Sequence, residues 1–283
     1  MSVPAFSDIA KPANDLLNKD FYHLSANTLE FKDTAPNGVA FKVNGKASHE
    51  KATSASIEGK YTDKPTGLTV TQTWNTANIL DTKFEVNDTL AKGLKLEGLV
   101  NLLPSTSARG AKFNIFFKQP GFHGRAFFDL LKGPVANVDA VVGHEGFLAG
   151  ASAGYDVNKA AVTSYSAAVG YTTPLYSAAV TATDNLSVFA ASYYHKVNSQ
   201  VEAGAKATWN SKTGNAVGLE LATKYRIDPV SFAKAKINDR GIAAVSYNVL
   251  LREGVTLGLG SSFDTQKVDQ ATHKIGTSFT FEG

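Results

Sequence analysis

The sequence predicts an all-β fold: a transmembrane β-barrel preceded by a short amphipathic helical segment. Three observations carry this. Apolar and polar residues alternate with a period of two over most of the chain, and the charges collect on one face of that alternation. The 283 residues are 43% hydrophobic, yet nowhere do ~18 apolar residues run consecutively, which excludes a transmembrane helix. The stretch 25–283, about 259 positions, accommodates roughly 18 to 20 membrane-length strands with short turns. No soluble sandwich needs so many strands with one consistently charged face. A closed barrel does, because lipid requires every backbone group to be paired and tolerates no open edge.

Residues 1–24 are the exception to the strand pattern. Phe6, Ile9, Ala10, Ala13, Leu16 and Leu17 recur at helical spacing, with Ser7, Lys11, Asp15 and Lys19 on the other side. Ser7-Asp8 is the expected N-cap region. Pro12 lacks a backbone donor, so a kink or two short helical turns are expected rather than one rod.

From Ser25 to the end the signal is strand and turn. Asn37-Gly38 predicts a hairpin turn, followed by Val39, Phe41 and Val43 against Lys42, Asn44 and Lys46. The most regular stretch is Gly67 to Asn101. Leu68, Val70, Gln72 and Trp74 alternate with threonines. Leu80, Thr82, Phe84 and Val86 oppose Asp81, Lys83, Glu85 and Asn87, and Leu94, Leu96, Gly98 and Val100 oppose Lys95, Glu97, Leu99 and Asn101. The division recurs with Phe113, Ile115 and Phe117 against Lys112, Asn114 and Lys118. It recurs again with Val217, Leu219, Leu221 and Tyr225 against Glu220, Lys224 and Arg226, and with Ala233, Ala235 and Ile237 against Lys234 and Lys236. Leu186–His195 is ambiguous, with apolar residues on both faces. Trp74, Trp209, Tyr61, Tyr155, Tyr171, Tyr225 and Phe281 fall mostly near strand ends, as interfacial aromatics do.

Catalytic chemistry finds no footing. The six histidines show no metal-ligand spacing, His144-Glu145 lacks a second histidine, and there is no G-x-S-x-G elbow. Gly258-Leu259-Gly260 sits inside a strand pattern. With no cysteine there is neither a disulfide framework nor thiol chemistry, and a net charge of +3 makes no case for nucleic acid. No enzyme, metal or cofactor is expected. What remains is electrostatics: a polar lumen lined by Lys42, Lys46, Lys83, Lys95, Lys112, Lys118, Lys224, Lys234, Lys236 and Lys274 favours anions. Asp81, Glu85, Glu97 and Glu220 share that face, so the preference is expected to be modest.

The run G-L-T-V-T-Q-x-W-N-T-x-N from Gly67, followed by A-K-G-L-K-L from Ala91, resembles the mitochondrial porins, the voltage-dependent anion channels, in a fungal form. The likeness extends from Val3–Leu17 to His273–Gly283. It implies a barrel of 19 strands, which requires the first and last strands to run parallel, with the N-terminal segment inside the pore. It implies a voltage-gated, weakly anion-selective pore of the mitochondrial outer membrane passing ATP, ADP and other small anions. Lys11 and Lys19 match lysines linked in that family to nucleotide phosphates, and the segment carrying Asp15 and Lys19 is linked to gating. The stretches Ile242, Ala243, Ala244 and Gly260, Ser261, Ser262, Phe263, Asp264 match places linked to reduced nicotinamide dinucleotides. Lys274-x-Gly276-x-x-Phe279-x-Phe281 resembles the sorting signal read by the outer-membrane barrel assembly machinery. Outer-membrane lipids are the other implied partner, and homo-oligomers are left open. Gln72 departs from a glutamate of animal members and speaks against hexokinase-type docking. The other readings are a barrel conducting polypeptide, as the related import pore does, and a soluble all-β protein, which would fold without detergent.

Overall fold

The alternating blocks become strands of one sheet. The computed structural model describes residues 2–50, 52–131, 133, 135–214, 217–267, 269 and 272–283. The first strands are β1 (Asn27–Thr34), β2 (Ala40–Ala47), β3 (Ser54–Asp63), β4 (Leu68–Asn75), β5 (Leu80–Asn87) and β6 (Leu94–Leu103). Next come β7 (Ala108–Gln119), β8 (Phe122–Asp129), β9 (Val135–His144), β10 (Phe147–Asp156), β11 (Ala161–Thr172), β12 (Tyr176–Thr183) and β13 (Val188–Lys196). The chain finishes with β14 (Val201–Asn210), β15 (Gly218–Asp228), β16 (Ser231–Asn238), β17 (Ile242–Arg252), β18 (Val255–Asp264) and β19 (Lys274–Glu282).

Each strand pairs antiparallel with the next, and the sheet of 19 strands closes on itself. The closing pair is parallel, from Asn27 opposite Thr277 to Lys32 opposite Glu282. The odd strand count leaves no alternative: after eighteen reversals the last strand runs in the direction of the first. On the inner side, Lys32 pairs with Glu282 at 2.8 Å and with Glu30 at 2.6 Å, and Lys42 reaches Glu30 at 3.0 Å. Tight turns join the strands. At Gly93 the backbone has φ +85°, a Cβ would strike the carbonyl of Lys118, and the Gly93 N–H donates to Asp88 at 2.6 Å.

Side chains sort by the pleat. Leu29, Ile57, Phe84, Val100 and Trp74 stand on the outer face, where Trp74 is 56% exposed. Glu85, Glu97, Asn114 and Asp139 are buried on the inner face. Among the described residues no helix is long and apolar enough to cross a membrane. The buried apolar clusters therefore lie inside the barrel, between its wall and the N-terminal segment. Val3, Ile9, Val141, Leu148, Ala168 and Ala179 make one, and Leu16, Leu17 and Ala222 another. This explains the ambiguity of β13. Its lumen face carries Ser192, hydrogen-bonded to the Ala179 carbonyl, and Tyr194, packed against the Leu16–Leu17 cluster, so that both faces there are apolar or neutral.

Adjacent positions on β6 separate the two faces cleanly. Val100→Arg at mid-strand on the outer face should cost about 2–4 kcal/mol of folding free energy in a bilayer. Leu99→Arg, one residue away and facing the lumen, should cost little. Reversible urea titration of protein folded into lipid vesicles measures both, and equal losses would contradict the assignment of faces.

Candidate functional site

The lumen has two unlike walls, and the N-terminal segment makes the difference. The segment is a 3-10 turn at Phe6–Asp8, helix α1 at Lys11–Asn18 and a second 3-10 turn at Tyr22–Leu24. Pro12 sits in the first turn of α1, where its missing N–H goes unneeded, so the break falls ahead of it. Ser7 and Asp8, expected to cap the helix, do not. The residue ahead of α1 is Ala10, without a side-chain cap; Ser7 accepts a hydrogen bond from Arg125 at 3.3 Å and Asp8 pairs with Lys11 at 3.6 Å.

The segment lies as a belt along the wall from β8 to β19, tied at each stage. Arg125 on β8 holds Asp139 on β9 through Nε and Nη2 at 2.8 to 3.1 Å while its Nη1 reaches Ser7. A ring nitrogen of His123 meets the Val3 carbonyl at 3.3 Å. Lys206 on β14 donates to Asn14 at 3.2 Å. On β16, Lys234 donates to the carbonyls of Lys19 (2.6 Å) and Asp15 (3.3 Å), and Lys236 donates to that of Leu17 at 3.0 Å. Asn248 donates to the Tyr22 hydroxyl at 2.5 Å.

Where the belt touches, the wall has glycines. A Cβ at Gly143, Gly150, Gly170 or Gly204 would fall 2.9 Å from Val3, Phe6, Ile9 or Leu16 respectively. One at Gly276 would collide with the carbonyls of Tyr22 and Ser25. The seat is thus written into five strands. Sequence reasoning missed it, together with Arg125, Asp139 and Lys206; glycines at lumen-facing positions of β9, β10, β11 and β14 were the available signal.

The opposite wall is open and charged. Lys60, Thr71, Lys83, Leu99 and Lys112 stand directly opposite one another across β3 to β7 and so form one row. The adjoining row holds Glu58, Thr73, Asp81, Asn101 and Gly110, and the two line a hollow of about 390 Å³. Lys95 bridges Glu85 and Glu97, at 2.6 Å each, and Lys83 also reaches Glu85 at 3.0 Å.

The lysines selected by alternation all face the lumen, in different settings. Lys42, Lys83 and Lys95 are ion-paired. Lys46 and Lys118 lie toward strand ends, Lys274 approaches Glu50 at 4.0 Å, and Lys224 lies 4.3 Å from the Phe232 ring centre. Lys234 is buried and Lys236 half-buried, both turned to the carbonyls of the belt. Lys11 and Lys19 pair with Asp8 and Asp15. Ile242–Ala244 and Gly260–Asp264 come together as cross-strand neighbours on β17 and β18, Ile242 opposite Asp264 and Ala244 opposite Ser262. The pleat turns Ala243, Ser261 and Phe263 to the outer face, so each stretch offers the lumen alternate residues only.

A family model described as eukaryotic porin matches residues 2–276. The chain is 79% identical to a mitochondrial outer membrane protein porin of Neurospora crassa, over the full length of both. It is 41% identical, again over both full lengths, to non-selective voltage-gated ion channel 1 of Saccharomyces cerevisiae. A solved mutant of the Rh. blastica porin, 10% identical, covers 84% of this chain and 98% of its own at a TM-score of 0.51, a likeness of fold alone.

His23 gives the belt a pH dependence. It is buried beside the seam, with Nδ1 unpartnered, and its carbonyl accepts from a ring nitrogen of His49 at 2.9 Å. Burial first, then the charges of Lys236 and Lys274 and the neighbouring His49, hold its pKa below the usual value. The fold therefore favours the neutral ring. The stability it contributes is present above about pH 6.5, the ordinary histidine value, and is lost as pH falls through the lower folded value. Hydrogen exchange of amides 18–26 should quicken on acidification below pH ~6.5, and His23→Phe should remove that step.

Proposed function

The chain belongs to the eukaryotic porin family, and from that footing we propose that it is a weakly anion-selective diffusion pore passing ATP, ADP and other small anionic metabolites. As a member it is a voltage-gated channel of the mitochondrial outer membrane and not an enzyme. Its relatives are porins and ion channels, and conduction of polypeptide is not favoured.

The row Lys60–Lys83–Lys112 carries the reading. Successive ammonium groups stand two strands apart, roughly 9.5 Å. The Debye length is ~8 Å at physiological ionic strength, so neighbouring fields overlap into a shallow positive band. The parallel row with Glu58 and Asp81, and the carboxylates around Lys95, keep it shallow. This supports a preference for anions and argues against exclusion of cations. At ~1 M salt the Debye length is ~3 Å, and the band breaks into separate points.

Within this proposal the belt is the gate. Moving one charge through the membrane field is worth ~2.3 kcal/mol per 100 mV, and Lys11, Asp15 and Lys19 lie on its exposed side. Lys11, Lys19 and the lumen-facing members of Ile242–Ala244 and Gly260–Asp264 are the proposed nucleotide contacts. The last strand is the segment proposed to be read by the barrel assembly machinery.

Lys83→Glu tests the reading. In a planar bilayer under a salt gradient, the reversal potential should move toward the cation side with little change in open conductance. The shift should shrink as total salt rises. An unmoved reversal potential at low salt would remove the lysine row from selectivity.

A further inference from the structure

We propose that Lys234 and Lys236 are a latch: positioning residues that hold the N-terminal segment against β16 and thereby set the voltage at which the channel closes. The inference rests on the reading that this segment is the gate.

A helix ends with carbonyls that have no partner inside it. At the end of α1 two ammonium groups project from one face of β16, two residues apart, and reach the carbonyls of Leu17, of the C-cap residue Lys19 and of Asp15, the last of which also accepts the Lys19 N–H at 3.0 Å. Lys234 takes the carbonyls of Asp15 and Lys19, and Lys236 takes that of Leu17. The positive charges also complement the negative end of the helix dipole. Phe21, just past the helix, lies between the same two groups, with its ring centre 4.9 Å from Lys234 Nζ and 4.6 Å from Lys236 Nζ. Asp20, at φ +60°, brings its carboxylate to 3.8 Å from Lys234.

The arrangement is specific to the docked position. Lys234 is 3% exposed and stands directly across from Lys224 on β15, a like charge. Its neighbour on β17 is Ser246, which is neutral, and that of Lys236 is Ala244. Glu202 on β14 and Glu220 on β15 act on these ammonium groups only at a distance; the hydrogen bonds come from the carbonyls of the belt, with Phe21 and Asp20 beside them. Both lysines are therefore committed to the belt rather than to passing anions. Removing them should change gating far more than open-state selectivity, the opposite of Lys83→Glu.

The test uses the full-length Lys234→Met/Lys236→Met variant, with a nitroxide on Asn18→Cys, an exposed position in a chain without other cysteines. Losing charge-assisted hydrogen bonds should raise the mobile population of the label roughly tenfold. In planar bilayers the closing voltage should fall to about half, while the open-state reversal potential stays near that of the unsubstituted channel. Lys234→Arg/Lys236→Arg, which keeps the charges, should return the label and the voltage toward their original values. An unchanged label spectrum would overturn the latch. A mobile label with an unmoved closing voltage would instead overturn the gate reading on which it rests.

Discussion

In hydrocarbon an unpaired backbone N–H or C=O costs several kcal/mol, so a sheet that spans a membrane has to close. That requirement shapes the molecule. The sheet has 19 strands, and closure is possible only through the parallel pairing of β1 with β19. Parallel pairing is slightly weaker per residue than antiparallel pairing. Charges reinforce the line on the inner side, with Lys32 between Glu30 and Glu282 and Lys42 completing the group. The C-terminal Gly283 N–H adds a hydrogen bond to the Lys32 carbonyl at 2.9 Å.

Closure also inverts the usual place of the core. The outer face is apolar because lipid covers it, so buried clusters form only where something lies inside. The belt supplies it: Val3, Ile9, Leu16 and Leu17 are almost fully buried against Val141, Leu148, Ala168, Ala179 and Ala222. One half of the lumen is thereby furnished with small and apolar residues, and the other keeps its charges. Binding the belt and lining the pore are tasks for different strands. The same residue type serves both: Lys83 faces the water, while Lys236 is spent on a helix carbonyl.

This division decides what could be read from the chain. Alternation is plain on β4 to β7 and on β15 and β16, where most outer positions are apolar and most inner ones are polar or charged. It fades on β10 to β13, where Gly150, Ala168, Gly170 and Ala179 face the belt and remove the contrast between faces. The inward direction of the lysines followed from the pleat alone. That Lys234 and Lys236 are covered did not, because a pleat gives direction and says nothing of what lies opposite. The pairing of Arg125 with Asp139, directly opposite each other on β8 and β9, was equally invisible, because the pattern does not fix the register of that hairpin. The parallel closing pair came from family resemblance, since period-2 patterns carry no information on which strands meet.

The parity of the strand count has a consequence for how such chains can change over generations. Duplicating or deleting a hairpin alters the number of strands by two, so it preserves the parallel seam and the direction in which β19 ends. Gain or loss of a single strand would turn the seam antiparallel and bring both ends of the sheet to one rim. The belt enters at the rim where β1 begins, and its seat on β9 to β19 is laid out from that entrance. Heritable growth or shrinkage of this architecture is therefore expected to proceed by pairs of strands, with the entrance of the belt held fixed.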